Sequence, residues 1–102
     1  MKYYLYIIKT INNTLYCGIT NNLMKRFIAH KKGLGAKYTK KNKPEKIVFV
    51  LILEDKSSAL QEEYRIKKLT REKKVDLIEK NKVNTLKILK EQYYTTNSKK
   101  SQ

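Results

Sequence analysis

Three observations in the sequence predict a small α+β fold. Two strand-like stretches flank an Asn-Asn turn near the N-terminus, an apolar run of seven stands at Ile47 to Leu53, and helix-capped amphipathic segments fill the rest. Together they predict a three-stranded antiparallel sheet, formed from a β-hairpin, a helix and a third strand, with helices flanking it. A length of 102 residues suits one domain with a single modest core.

The elements follow in order. Tyr3 to Thr10 is rich in aromatic and β-branched residues and reads as a strand. Asn12-Asn13 supplies turn chemistry, because Asn tolerates left-handed backbone, and Leu15 to Thr20 reads as the return strand. Asn21 or Asn22 is placed to cap a helix from about Leu23 to Lys31. Gly33 and Gly35 end it and open a basic loop, Leu34 to Pro44. Ile47 to Leu53 reads as a strand buried on both faces. The run Asp55-Lys56-Ser57-Ser58 offers N-caps for a second helix over about Ser58 to Leu69. Thr70 caps a third over about Arg71 to Glu79, and Val83 to Tyr93 is a weaker amphipathic fourth.

Charge narrows the partners. Lys and Arg number 24 against 9 Asp and Glu, a net charge of +15, so a polyanion is the natural counterpart. From Lys25 to Lys46 there are nine basic residues and one acid, Glu45, a block able to track a phosphate backbone. No apolar run approaches the roughly 18 residues of a membrane span, and the N-terminal YYLYII is too soon interrupted for a signal peptide. The single cysteine, Cys17, excludes an internal disulfide framework and a Cys-rich zinc site. A reduced, cytoplasmic setting is expected, with no membrane partner.

Several residues break their local pattern. Leu23 and Phe27 define an inward helical stripe, and Arg26 and His30 extend it at i+3 and i+7 from Leu23. Burying an unpaired guanidinium is costly, so this face is expected to border a polar cleft. In the second helix, Ala59, Ile66 and Leu69 mark the inner face, and periodicity leaves Glu62 and Glu63 as equal candidates for a functional carboxylate. An ion pair from Glu63 to Lys67, at i+4, is the structural alternative. Tyr4 and Tyr6 share one face of the first strand. Gly18, mid-strand, calls for close approach of a ligand or backbone beside Tyr16.

These residues resemble the GIY-YIG nuclease family. Its first tripeptide appears as Tyr4-Leu5-Tyr6 and its second as Tyr16-Cys17-Gly18, with nine residues, 7 to 15, between them. Arg26 and His30 match the family's helix arginine and histidine, and Ala59-Leu60-Gln61-Glu62-Glu63 matches its glutamate helix, selecting Glu63. The runs GLGAKYT, Gly33 to Thr39, and EYRIKKLT, Glu63 to Thr70, are similar to the small stand-alone bacterial members, the YhbQ-like group. The first tripeptide lacks its glycine and Cys17 replaces an isoleucine; Asn81 and Asn84 match a late family asparagine by position only. The resemblance covers about Tyr3 to Ile78. It divides the chain into a GIY-YIG-like domain over residues 1–80, a helical extension over 81–94 and a polar, Lys-bearing tail over 95–102 expected to be disordered.

The resemblance implies phosphodiester hydrolysis with one divalent cation, Mg²⁺ or in its place Mn²⁺, held by Glu63. Arg26 would bridge phosphate oxygens. Tyr6 and Tyr16 would position or deprotonate the attacking water, with His30 assisting. An ordinary phenol, with a pKa near 10, is about one part in a thousand ionised at pH 7, and Arg26 and the metal are expected to lower that pKa. Lys31, Lys32, Lys37, Lys40, Lys41 and Lys67 would grip phosphates, and Gly18 would serve structure. The expected substrate is DNA, with RNA as the other candidate, nicked or cut as a single strand with weak sequence preference by a monomer. The competing expectation is a catalytically silent nucleic-acid-binding module of the same fold.

Overall fold

The computed structural model describes the backbone of residues 1–100 and the side chains of residues 1–92. Strand β1 (Tyr3–Thr10) and strand β2 (Leu15–Thr20) form the hairpin. Asn13 takes the left-handed conformation the turn requires, with φ 61°, and the Thr10 amide closes the loop on the Thr14 carbonyl at 2.9 Å. Helix α1 (Leu23–Lys31) starts at Asn22, whose side chain accepts the Lys25 amide. It stops at Gly33, φ 77°, where Leu34 N–H reaches the Ala29 carbonyl and Gly33 N–H that of His30.

The sequence leaves Leu34 to Pro44 as a loop, but the structure places a five-residue helix there, α2 (Lys37–Lys41). Periodicity is blind to so short an element. The turn is held by Thr39, whose hydroxyl accepts the Ala36 amide and donates to the Ala36 carbonyl. Strand β3 runs Pro44–Leu53, three residues earlier than the apolar run suggests, and is not buried on both faces throughout, since Ile52 is exposed. Exposed Lys46 joins the ladder opposite Lys9, and Glu45, in the irregularity beside it, pairs its carboxylate with the Lys9 ammonium at 3.2 Å.

Helix α3 (Lys56–Lys67) is capped by Asp55, and α4 (Arg71–Lys80) by Thr70. Helix α5 (Lys82–Lys100) extends beyond the sequence estimate and carries its backbone through most of residues 95–102. The side-chain and terminal part of the expectation for that tail lies outside the described residues.

The sheet is three-stranded and antiparallel, as the sequence predicts for an α+β unit, and the structure sets its order as β2-β1-β3. Strand alternation divides β1 between two layers. Leu5 and Ile7 join Cys17, Phe49 and Ile66, with Leu77 and Ile78 packed against them, so α3 and α4 cover one face. Tyr6 and Ile8 join Leu23, Val50 and Ile88, with Phe27 and Leu89 beside them, so α1 and α5 cover the other. Across the β3 edge, Thr85 of α5 accepts the Val50 amide at 3.2 Å, satisfying a backbone donor that no strand reaches.

Candidate active site

The α1 face holds the polar residues that interrupt the helical stripe. Leu23 and His30 are both buried, and Arg26 between them is half-buried, so all three face inward together. Tyr6 Oη lies 2.8 Å from His30 Nε2, and His30 Nδ1 lies 2.6 Å from Thr39 Oγ1. Tyr6, His30 and Thr39 are 2%, 0% and 1% exposed, so this is a hydrogen-bonded polar row inside the protein. Tyr16 packs edge-on against the imidazole, ring centres 5.3 Å apart, and Tyr38 of α2 stacks on Tyr16 at 5.7 Å.

Two glycines make this packing possible. Tyr6 sits opposite Gly18 in the hairpin, and a Cβ at Gly18 would lie 2.6 Å from the Tyr6 hydroxyl oxygen. The approach that Gly18 permits is therefore by the cross-strand phenol, where the sequence suggested a ligand or backbone. A Cβ at Gly35 would collide with the His30 ring at Nδ1. Gly35, Thr39 and Tyr38 lie in the run GLGAKYT, but nothing in residue periodicity distinguishes them. Their contacts depend on how the α1–α2 connection folds back.

Electrostatics follow from burial. Desolvation pushes the Tyr6 phenol up to about 12, against the opposing pull of the Arg26 guanidinium beside it. The expectation of a lowered phenol pKa is thus corrected for Tyr6 in the protein alone: Arg26 acts in the expected direction, and burial outweighs it. Burial also pushes His30 down to about 4, with Arg26 adding to the effect, so the imidazole is neutral at pH 7. Arg26 opens onto a shallow cleft lined by Tyr3, Ile19, Thr20, Asn21 and Lys56, the last from the start of α3.

Glu63 occupies a different place. It lies on α3, the helix under the opposite sheet face, and its carboxylate pairs with Lys67 at 3.3 Å. Its nearest link to the tyrosine cluster is through β2. Cys17 feels the Glu63 charge and points into the α3 layer, while Tyr16, the residue before it, packs on the α1 layer. Cys17 is held up at about 12, by burial first and Glu63 second, so it is a protonated filler. Glu62 is engaged by Arg65 through two hydrogen bonds, at 2.8 and 3.2 Å.

Tyr6, Tyr16, Arg26 and His30 are therefore brought together, while Glu63 and Lys67 pair with each other on α3. Lys31, Lys32, Lys37, Lys40 and Lys41 are exposed along the end of α1 and through α2, beside the cluster. Asn81 caps α4 and donates its side-chain amide to the Leu77 carbonyl, a structural task.

Fold and cluster define a class of protein, and direct comparison identifies it: the chain belongs to the GIY-YIG family, whose catalytic domain matches residues 2–76. Membership implies a nucleic-acid substrate and nuclease chemistry, which in this family generally uses a divalent metal. Within the family, the chain is 51% identical to a UPF0213 protein of Clostridium perfringens over 74% of its own length and 81% of the relative's. It is 44% identical to a UPF0213 protein of Staphylococcus saprophyticus, covering 76% of this chain and 94% of that one. The solution NMR structure of the UPF0213 protein BH0048 from Bacillus halodurans superposes with a TM-score of 0.54 at 33% identity, covering 80% of this chain and 87% of that one. None of these names carries a substrate or a reaction.

Proposed function

We propose that this protein is a divalent-metal-dependent endonuclease that hydrolyses phosphodiester bonds in DNA, nicking duplexes or cutting single strands with weak sequence preference. One observation carries the reading: the buried Tyr6–His30 hydrogen bond beside the Arg26 guanidinium, at the rim of an open cleft. Binding a polyanion needs only exposed lysines. A buried phenol–imidazole pair next to a fixed cation costs desolvation, which a phosphoryl-transfer site would put to use.

In this reading Arg26 spans phosphate oxygens and stabilises charge developing at phosphorus. Tyr6, a neutral phenol at pH 7, holds the attacking water by hydrogen bonding, with Tyr16 beside it and His30 behind it. Lys31, Lys32, Lys37, Lys40 and Lys41 hold the flanking backbone, which positions nucleic acid without reading its sequence. A monomer with one such site cuts one strand per encounter.

Glu63 is the proposed metal ligand. Among the described residues no group of three or more His, Cys, Asp and Glu could hold a cation by protein ligands alone. A single carboxylate suits Mg²⁺, which keeps several of its waters, and Mn²⁺ can substitute. The donor fits: the Glu63 side chain is 19% exposed, and its present counter-charge is the flexible, exposed ammonium of Lys67, which a cation would displace. The bound ion would neutralise charge on the leaving oxygen.

The test is to incubate purified protein with end-labelled single-stranded, duplex and branched DNA, and matched RNA, with and without Mg²⁺ or Mn²⁺. Metal-dependent cutting is expected. Arg26→Ala and Glu63→Ala should each lower the rate by roughly 100-fold or more while most binding persists. Tight, salt-sensitive binding with no cutting of any substrate would instead make the protein a binding module.

A further inference from the structure

The polar row behind Tyr6 does not end at His30. The imidazole is clasped from its other side by the α1–α2 connection, where Gly35 comes so close that any Cβ would strike Nδ1. Thr39, 1% exposed, sets its hydroxyl 2.6 Å from the same nitrogen.

The protons in this row can be placed by elimination. Arg26, the cation beside the phenol, only donates, so it cannot take the Tyr6 proton. The hydrogen-bond partner described for Tyr6 Oη is His30 Nε2, at 2.8 Å, and a buried phenol proton requires an acceptor. Nε2 is then unprotonated, and in a neutral imidazole the proton sits on Nδ1. Nδ1–H donates to Thr39 Oγ1, which is free to accept because its own proton goes to the Ala36 carbonyl at 3.2 Å. Every donor in the row has an acceptor in this arrangement. In the opposite tautomer Thr39 would donate to Nδ1 in place of the Ala36 carbonyl. Nε2–H and Arg26 would both donate towards one phenol oxygen, and only a water of the cleft could take the phenol proton.

We propose that Thr39 is a positioning residue: it fixes His30 as the Nδ1–H tautomer, so that Nε2 draws the Tyr6 proton inward and the phenol oxygen keeps its lone pairs towards the Arg26 cleft. A water in that cleft then meets an acceptor with a fixed direction, rather than a hydroxyl whose proton points at it. Ala36 and Gly35 complete the device, one anchoring the Thr39 proton and the other admitting the ring. The consequence for cutting rests on the nuclease reading above; the tautomer does not.

Because the chain has one histidine, imidazole ¹⁵N labelling of the intact protein gives one pair of ring signals. At pH 7 Nδ1 should resonate in the protonated, pyrrole-like range and Nε2 in the unprotonated, pyridine-like range. Thr39→Val, which keeps the shape and removes the acceptor, should move both signals towards the mixed or Nε2–H pattern and slow DNA cutting about 10- to 100-fold with binding retained. Thr39→Ser should restore wild-type signals and rate, separating the hydroxyl's role from packing if the valine variant folds poorly. An Nε2–H wild type, or a folded Thr39→Val protein with unchanged ring signals, would overturn the proposal. A wild type that cuts nothing but shows the Nδ1–H pattern, lost in Thr39→Val, supports the positioning role and retires the nuclease reading instead.

Discussion

The two faces of the sheet use the same strands for opposite ends. Under α3 and α4, β1 contributes Leu5 and Ile7 to a layer with Phe49, Cys17 and Ile66, in which the buried side chains are apolar. Under α1 and α5, the alternate residues Tyr4, Tyr6 and Ile8 meet a layer into which His30 and Thr39 intrude. The first face needs only shape and volume to be stable. The second must satisfy each polar atom, and its stability depends on directed bonds that any proton or misplaced methyl group can upset. An apolar layer on one face leaves the other able to hold a buried polar row.

The sharpest way to break this division is through the apolar face. Phe49 is fully buried in the α3 layer, and Phe49→Ala should cost about 3–5 kcal/mol, read as a shift in the urea midpoint. Tyr6→Phe removes only the hydroxyl on the other face and should cost about 1 kcal/mol while abolishing the polar row. Equal losses in the two variants would mean the faces share the burden of stability.

Acid should act on the second face. The folded pKa of His30 is about 4 against an ordinary 6.5, so between those values the unfolded chain binds the proton that the folded one refuses. The contribution is therefore complete above pH 6.5 and is lost as pH falls towards 4, by an amount on the order of a few kcal/mol. Unfolding midpoints at pH 7.5 and 4.5 in wild type and His30→Gln isolate it, since carboxylate titration is common to both. Parallel pH slopes would show that the imidazole is not held neutral by its surroundings.

The division was partly legible in sequence. The aromatic and β-branched content of Tyr3 to Thr10 and the seven-residue apolar run mark two of the strands, and the stripe of Leu23, Arg26, Phe27 and His30 marks a polar intrusion on a helix face. What periodicity could not supply was the other half of each contact. Thr39, Gly35 and Tyr38 lie in a basic, glycine-bearing stretch that looks like any loop, and their meaning arises only when α2 folds onto the imidazole. Glu62 and Glu63 stayed indistinguishable for a related reason. At 100° per residue both flank the inner face, and it took the resemblance to prefer Glu63. The layer it occupies, beneath β2 with Lys67, is a property of topology that helical phase does not encode.

Gly35 tests the second face with a single methyl. Its backbone needs no special conformation, so Gly35→Ala is expected to stabilise the unfolded-to-folded step if the site has room. The position opposite His30 Nδ1 has none, and either the ring or the α1–α2 connection must shift. A cost of about 2–3 kcal/mol is expected, with the His30 ring signals displaced; a neutral or stabilising effect would mean the clasp is loose.

The smallest effect belongs to the seam where α5 meets the sheet. Thr85 is 2% exposed and accepts the Val50 amide at 3.2 Å, a hydrogen bond from an outer strand to a side chain rather than between strands. Thr85→Val keeps the volume but leaves a buried N–H without an acceptor. The bond is long, so the cost is set near the low end for an unsatisfied donor, about 1 kcal/mol. Hydrogen exchange gives a more local reading than the midpoint. The Val50 amide should lose protection in Thr85→Val, regain it in Thr85→Ser, and leave Leu5 and Ile7 in the neighbouring strand unchanged. If Val50 exchanges no faster in the valine variant, its protection comes from burial under α5 alone, and the helix closes the β3 edge by packing rather than by a specific bond.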